Sequence, residues 1–177
     1  MKIRNNSLNL DSLDLKILEA LQEDARQTYT MIGKRLGVAH STVYDRIRKL
    51  ERQGIIKKYT TLVDCEKAGV KYVTAIMTIY TDPKESEKVA EKLCDCPQIL
   101  EVYTCLSEEL QIIAKAIAEN QEHLHDFIAK VIAPLPGVLR IRTSIITKKF
   151  KESLSTPLSN PNIMPLANNY TEEKDKK

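Results

Sequence analysis

Two short amphipathic patterns meet at Gly37 within residues 29–53, and this feature constrains the fold more than any other. Apolar residues recur at helical spacing on both sides of the glycine: Tyr29, Ile32 and Leu36 before it, and Val43, Ile47 and Leu50 after it. Such spacing gives each helix one apolar stripe, and a glycine permits the tight turn between them. Polar residues of the second segment lie opposite its stripe: Ser41, Asp45, Arg48 and Arg52, with Thr42 and Lys49 beside them. The pattern predicts a helix-turn-helix motif whose second helix is basic on its outer face.

A helix-turn-helix motif indicates DNA binding, because its second helix enters the major groove and the N-terminal residues of that helix contact base edges. We expect one group of side chains nearest the bases: His40, Ser41, Thr42, Tyr44 and Asp45. We expect a second group nearer the phosphates: Arg48, Lys49, Arg52, Lys34, Arg35, Lys57 and Lys58. Arg46 lies close to the apolar stripe, and two roles stay open for it, a DNA contact or a structural brace between helices.

The charge distribution along the chain supports this interpretation. Residues 1–60 contain 12 Lys and Arg against 7 Asp and Glu, which gives +5, whereas residues 61–152 contain 12 against 14, which gives −2. The positive excess therefore lies on the segment with the predicted motif, as a phosphate-facing surface requires. The sequence of 177 residues has neither an apolar stretch long enough to span a membrane nor the apolar run of a signal peptide. We expect a cytoplasmic protein that binds double-stranded DNA and no membrane.

Residues 1–60 are predicted to form a three-helix DNA-binding domain, with its third helix over residues 40–53. The first helix has an apolar face at helical spacing: Leu10, Leu13, Ile17 and Leu21. The expected helix caps are Asp11 or Ser12 for the first helix, Thr28 for the second and Gly54 at the end of the third. Residues 55–64 are rich in β-branched side chains, which predicts a short β-segment and a winged-helix-like motif. Residues 61–71 lack periodicity and are predicted to be a linker or hinge.

From Tyr72 onward the hydrophobic period changes to the alternation of a strand. Alternation and helical spacing predict strands near 72–79, 99–105, 110–118 and 139–145, and helices after Pro83 and over 120–133. The predicted inward face of the second of these helices is formed by Leu124, Phe127, Ile128 and Val131. The order β-α-β-β-α-β is the ferredoxin-like plan, here over residues 72–152. The expected fold class is α+β, a helix-turn-helix domain joined to a ferredoxin-like domain.

In a ferredoxin-like domain both helices cover one face of the sheet and the other face stays open. The strands are apolar on both alternations, with Ile76, Ile113, Ile117 and Ile146 on one and Met77, Ile79 and Ile112 on the other, so the open face is also expected to be apolar. A face this apolar is most simply covered by another copy of itself, so we expect a homodimer through this domain.

The remaining segments predict little chemistry of their own. Residues 153–177 are rich in Ser, Asn and Pro and are expected to be largely disordered. The four cysteines are Cys65, Cys94, Cys96 and Cys105. They lack the paired two-residue spacing of a zinc site, so we expect no metal, no cofactor and, by default, reduced thiols. A disulfide stays open if the source is a hyperthermophile.

With this organisation, residues 10–151 resemble the Lrp/AsnC family of transcription regulators. The resemblance rests on LDSLDLKILEALQEDAR, IGKRLGVAHSTVYDRIRKLERQGIIKKY and the LPGV before the last strand. It implies a regulator that binds pseudo-palindromic promoter sites as a dimer, with tetramers or octamers open. It also implies a small-molecule effector, commonly an amino acid. One departure concerns the start of the second motif helix, where Ala39 stands in place of the usual serine and cannot cap the helix.

A second departure concerns the implied effector site before the third strand. The corresponding positions in this chain are Thr104, Ser107, Glu108 and Leu110. The family typically has glycine and aspartate where this chain has Ser107 and Leu110. Glycine lets the backbone approach a ligand, and aspartate accepts its amino group, so we expect a different ligand or none.

Two other functions stay open at this point. Some proteins of similar architecture are tetrapyrrole decarboxylases of the siroheme type, which need histidine and arginine side chains around one pocket. Candidates for such a pocket are His123 and His125 with Arg140 and Arg142. An effector-free architectural protein that wraps DNA as a multimer would show weak sequence preference and a steep salt dependence.

Overall fold

The computed structural model describes residues 10–65, 67–106 and 109–158. Backbone contacts divide the chain into two compact units. The first unit comprises the residues up to Thr61 together with those from Glu152 onward, and the second comprises Leu62–Lys151. Each unit encloses a hydrophobic core of its own.

The first unit is built from helices that begin where the sequence predicts them: α1 (Ser12–Glu23), α2 (Tyr29–Leu36) and α3 (His40–Arg52). The predicted caps of α1 and α2 are confirmed. The Asp11 carboxylate accepts hydrogen bonds from the backbone N–H groups of Leu13 and Asp14 at 3.0 and 2.9 Å. The Thr28 hydroxyl accepts one from the N–H of Met31 at 3.2 Å. The core contains Ile17, Ala20, Ile32, Val43 and Ile47. Each large side chain buried there contributes about 1.5–3 kcal/mol of hydrophobic stabilisation.

The predicted β-segment after α3 is not a strand. Residues 57–64 have no regular secondary structure, so the described part of the motif has no wing. A strand needs a neighbouring backbone for its ladder of hydrogen bonds, and within the described residues none pairs with this segment. Instead, Ile55 and Ile56 donate N–H bonds to the Leu50 carbonyl at 3.0 and 3.3 Å, and Ile56 packs against the core.

The second unit has the predicted order of strands and helices: β1 (Val73–Thr81), α4 (Ser86–Cys94), β2 (Ile99–Leu106), β3 (Leu110–Ala118), α5 (Gln121–Phe127) and β4 (Val138–Ile145). In the described residues the strands form one antiparallel sheet in the order β2-β3-β1-β4. Side chains of α4 and α5 pack on its inner face, where Met77, Ile79 and Ile112 are fully buried. This arrangement confirms the ferredoxin-like plan.

The inward face predicted for the helix at 120–133 is partly wrong. Leu124 and Phe127 are buried as predicted, but Val131 is 42% exposed and Ile132 is fully buried in its place. The helix widens after α5 into a π-helical turn over Ile128–Ile132, where the N–H of Ala133 donates to the Ile128 carbonyl at 2.8 Å. A π turn spans one more residue than an α turn, which moves the inward position by one residue.

The outer face of the sheet carries one of the two apolar alternations of the strands. Ile76, Ile113 and Ile117 are half-buried, and the register places them opposite the helix-facing set. They are mixed with polar side chains, among which the Lys115 ammonium donates to the Glu101 carboxylate at 2.9 Å.

Part of the predicted tail also falls within the described residues. The segment up to Leu158 has no helix or strand, and the N–H of Thr156 donates to the Gln22 side-chain oxygen of α1 at 2.5 Å. The remainder of the predicted disordered tail, residues 159–177, lies outside the described residues.

Candidate nucleic-acid interface

The α2–turn–α3 segment has the geometry of a tight helix-turn-helix. Gly37 ends α2 in the left-handed region at φ 71° and ψ 30°, a conformation that side chains disfavour. Gly33 in the middle of α2 is needed for a different reason. A Cβ atom at Gly33 would lie 2.7 Å from the Val38 carbonyl oxygen of the turn. Gly33 is not among the residues predicted from the sequence; the available signal was a glycine inside a helical pattern, which often marks close packing.

Helix α3 divides sharply into an inner and an outer face. Val43, Ile47 and Leu50 are fully buried. The exposed residues on the rest of the helix are His40, Ser41, Tyr44, Asp45, Arg48, Lys49 and Arg52. As expected from the sequence, Ala39 precedes the helix and makes no side-chain cap hydrogen bond.

The predicted base-facing group lies in the first two turns of α3. His40, Ser41 and Asp45 are exposed and Thr42 is half-buried. Tyr44 is 45% exposed and packs against the ring of Tyr29 at the start of α2, with ring centroids 5.7 Å apart. The structure therefore gives Tyr44 a defined orientation on the outer surface.

The residues predicted to face the phosphates are exposed, and some of them contact other parts of the first unit. Lys34, Lys49, Lys57 and Lys58 are exposed. Arg35 of α2 forms a two-pronged ion pair with Glu23 of α1, with one N···O distance of 2.9 Å. In the last turns of α3, the Arg52 Nε donates to the Arg48 carbonyl at 3.3 Å.

Arg46 forms ion pairs with carboxylates at the start of the first helix. Its guanidinium donates to Asp14 at 3.0 Å and also pairs with Asp11, which ties α3 to the start of α1. The Asp14 side chain is only 1% exposed, so Arg46 supplies the charged partner that a buried carboxylate needs. Hydrogen bonds from the Asp14 backbone N–H and from Arg46 lower the pKa of Asp11. The sequence left this bracing role open and did not identify Asp14 as a partner.

Glu51 and Tyr59 form a second network of side chains that was not predicted from the sequence. One Glu51 carboxylate oxygen accepts the Tyr59 hydroxyl at 3.0 Å, and the other accepts the Arg48 guanidinium at 3.3 Å. Burial and the nearby Glu51 carboxylate raise the pKa of Tyr59 to about 12. The hydroxyl is therefore a constant donor at ordinary pH. An acidic residue on a basic helix, eight positions before a tyrosine, was the available signal.

Two of the predicted effector residues, Thr104 and Leu110, lie near one end of the sheet in the second unit. Thr104 is exposed on β2 and Leu110 is half-buried at the start of β3, while Ser107 and Glu108 lie outside the described residues. On the outer sheet face nearby, the Arg140 guanidinium lies 3.9 Å from the centre of the Tyr80 ring.

The residues needed for a tetrapyrrole pocket do not converge within one chain. His123 and His125 lie exposed on α5, whose neighbours Leu124 and Phe127 pack on the inner face of the sheet. The register of β4 with β1 places Arg140 and Arg142 on the outer face, in line with Tyr80 and Thr78.

The described residues show no other site for metal or thiol chemistry. That part of the chain has no cluster of three His, Cys, Asp or Glu side chains suited to a metal ion, and its four cysteines are free thiols. Its helices are too short or too polar to cross a membrane.

Sequence comparison matches both units to known families. Residues 10–51 match the AsnC-type helix-turn-helix domain, and residues 74–156 match the Lrp/AsnC ligand binding domain. The HTH-type transcriptional regulator FL11 of Pyrococcus horikoshii is 36% identical over 149 residues, which cover 84% of this chain and 97% of FL11. The HTH-type transcriptional regulator Ptr1 of Methanocaldococcus jannaschii is 32% identical over 149 residues, which cover 84% of this chain and 99% of Ptr1.

Solved structures of regulators have the same fold. A transcriptional regulator from Neisseria meningitidis, crystallised as an L-Met complex, has a TM-score of 0.74 and 25% identity, covering 85% of this chain and 98% of its own. Escherichia coli AsnC has a TM-score of 0.70 and 24% identity, covering 81% and 96%. These matches favour a regulator over an enzyme. The chain belongs to the Lrp/AsnC family of DNA-binding transcriptional regulators.

Proposed function

We propose that the protein recognises specific promoter sequences by placing α3 in the major groove. The observation that carries this proposal is the division of α3 into a fully buried stripe and an exposed outer face. Short hydrogen-bonding side chains crowd the start of that face, where a recognition helix contacts base edges. The residues proposed to face the bases are His40, Ser41, Thr42, Tyr44 and Asp45.

The basic residues around this helix are proposed to contact the phosphates, which position the protein without reading sequence. These residues are Arg48, Lys49, Arg52, Lys34, Arg35, Lys57 and Lys58. Arg46 is proposed to brace the motif through Asp11 and Asp14 rather than to contact DNA, because its guanidinium already neutralises a buried carboxylate. On this proposal residues 1–60 are the DNA-binding domain and residues 61–71 the hinge.

We infer that residues 72–152 hold two copies together through the open face of the sheet. Support comes from the half-buried isoleucines of that face, which a second copy would cover. A two-fold dimer presents two recognition helices, and successive major grooves on one side of DNA are about 34 Å apart. The expected operator is therefore pseudo-palindromic. Tetramers or octamers of such dimers are an extension of the same proposal.

For the effector we propose a ligand other than an ordinary amino acid, or none, at Thr104, Ser107, Glu108 and Leu110. The L-Met complex of the Neisseria relative shows that a family member with this fold binds an amino acid. In this chain the apolar Leu110 supplies no acceptor for an amino group.

A DNase footprint on the upstream region of the protein's own gene tests these proposals, with and without a pool of the twenty amino acids. We expect protections spaced by about one helical turn that the pool leaves unchanged. Protections that move with the pool would contradict the effector proposal. Absence of protection at low salt, on this DNA and on random DNA, would contradict DNA recognition and favour the tetrapyrrole enzyme.

A further inference from the structure

Glu51 is the acidic residue of α3 with both carboxylate oxygens engaged by side chains on the DNA-facing part of the first unit. One oxygen holds the Arg48 guanidinium at 3.3 Å and the other the Tyr59 hydroxyl at 3.0 Å. The Glu51 side chain is 29% exposed and that of Arg48 is 59% exposed, so the pair lies at the surface. Arg48 therefore has an anion within the protein before any phosphate arrives.

The Tyr59 contact gives Glu51 a fixed position. Arg48 and Glu51 are one helical turn apart, and such exposed pairs are usually loose because both side chains are long. Here the hydroxyl of Tyr59, which follows the end of α3, holds the carboxylate from a second direction. Glu51 and Tyr59 together also line one wall of a recess that includes Tyr29, the residue packed on Tyr44.

We propose that Glu51 is a positioning residue that determines DNA specificity by controlling Arg48. This inference rests on the proposed function, in which Arg48 faces phosphate. The Tyr59-anchored carboxylate holds the Arg48 guanidinium in one direction and offsets its charge. Arg48 is then available to a phosphate only where α3 is fully seated in the groove.

Binding to random DNA and binding to a preferred sequence depend differently on this clamp, the Glu51 carboxylate that Tyr59 anchors and that holds Arg48. Non-specific binding comes almost entirely from charges that pair with phosphates wherever they lie. A released Arg48 would strengthen that mode. Binding to a preferred sequence also needs α3 in a defined orientation, and a released Arg48 would contribute less to it. Loss of the clamp therefore reduces the difference in affinity between preferred and random DNA.

The test uses the full-length protein, the best-binding sequence selected from a random DNA pool, and random DNA of equal length. Three variants are compared with wild type: Glu51→Gln, Tyr59→Phe and Glu87→Gln. Glu87 lies on α4 in the second unit and provides the same change of charge as Glu51→Gln. Tyr59→Phe removes the anchor without any change of charge. Thermal unfolding of each variant establishes that it is folded.

We expect Glu51→Gln to raise affinity for random DNA about threefold to fivefold, the size of one exposed ion pair. Its salt slope on random DNA should grow by about 0.9, one added phosphate contact. Affinity for the selected sequence should not rise with it, so the specificity ratio falls. Tyr59→Phe should lower the ratio in the same direction, and Glu87→Gln should leave it unchanged.

Two results would overturn the inference. Parallel gains on both DNAs for Glu51→Gln would mean that only net charge matters, and an unchanged ratio for Tyr59→Phe would mean that the anchor has no role. Both are distinct from failure of the proposed function, in which wild type itself would not prefer any sequence.

Discussion

Arg46 and Arg48 are two residues apart on α3, yet their surroundings give them different roles. Arg46 points back to α1 and neutralises Asp14, whose side chain is 1% exposed. Arg48 points outward, where its guanidinium pairs with the partly exposed Glu51 carboxylate and also interacts with Tyr44. The sequence pattern distinguishes the two only by their angle to the apolar stripe, because the partners of Arg46 lie more than 30 positions away along the chain.

Alanine substitutions should separate these roles. We expect Arg46→Ala to lower the free energy of unfolding by about 1–3 kcal/mol, because it leaves the buried Asp14 carboxylate without its charged partner. Arg48→Ala should change stability by less than about 0.5 kcal/mol but reduce the salt slope of binding to the selected sequence by about 0.9. Urea unfolding and binding titrations at several salt concentrations measure both quantities. Equal stability losses for the two variants would contradict this division.

Asp11 makes the brace sensitive to acid. Its pKa is lowered from 3.8 in the folded protein, so its contribution to stability is complete above pH 3.8 and is lost as pH falls through the lowered value. Asparagine retains the helix cap but not the charge. We expect the stability difference between wild type and Asp11→Asn to be constant near neutrality and to shrink below about pH 4. Urea unfolding across this range measures the difference. A gap of constant size down to pH 2 would show that the charge of Asp11 is irrelevant.

At the scale of elements, the junction of α2 and α3 depends on two glycines for separate reasons. Gly37 needs a left-handed backbone but has open space around its Cα, whereas Gly33 needs the space itself. The pair allows conformational strain and steric contact to be measured in the same turn.

We expect Gly33→Ala to destabilise the protein by about 1–3 kcal/mol, because a methyl group must displace the Val38 carbonyl or shift α3. Gly37→Ala should cost about 1–2 kcal/mol from its backbone conformation alone. Only Gly33→Ala should also weaken DNA binding in the folded variant, since it alone changes the position of α3. Thermal unfolding and binding to a selected sequence provide the two readouts. Unimpaired binding by Gly33→Ala would contradict the steric explanation.

Much of the fold follows from the sequence because its determinants are local. The stripe of Val43, Ile47 and Leu50 and the alternation in β1 are confirmed because hydrophobic spacing decides both. Burial of Ile132 in place of Val131 was not predictable, because the extra residue of a π-helical turn leaves no local pattern in the sequence. The prediction of a β-segment after α3 is wrong for another reason. Residues 57–64 have β-branched side chains, but the spacing of side chains does not supply a backbone partner. The hydrogen bond between Glu51 and Tyr59 was not predictable, because it depends on where the chain turns after α3.

At the scale of the whole molecule, the proposed dimer through the open sheet face would present two copies of α3 to DNA instead of one. Ile113 lies in the middle strand pair of that face, opposite Thr78 on β1 and Tyr103 on β2. A charge introduced there faces solvent in a monomer and a buried apolar surface in the proposed dimer.

We expect Ile113→Asp to produce folded monomers, because burying an unpaired carboxylate between two sheets is strongly unfavourable. Leu139→Asp is the control, since Leu139 alternates with Arg140 on β4 and is 71% exposed. Light scattering after size exclusion measures the mass, and footprinting measures the length of protected DNA. Dimers of unchanged stability in Ile113→Asp would place the interface elsewhere.

The two separate hydrophobic cores have a consequence for how such a protein changes over time. One core draws its buried members from Ile17 to Ile47, the other from Ala75 to Ile132, and they share no residue. Mutations that retarget the outer face of α3 therefore need no compensating change in the packing of the sheet. After gene duplication, one copy could acquire a new set of target genes while it keeps its old assembly, and another could change its assembly while it keeps its targets.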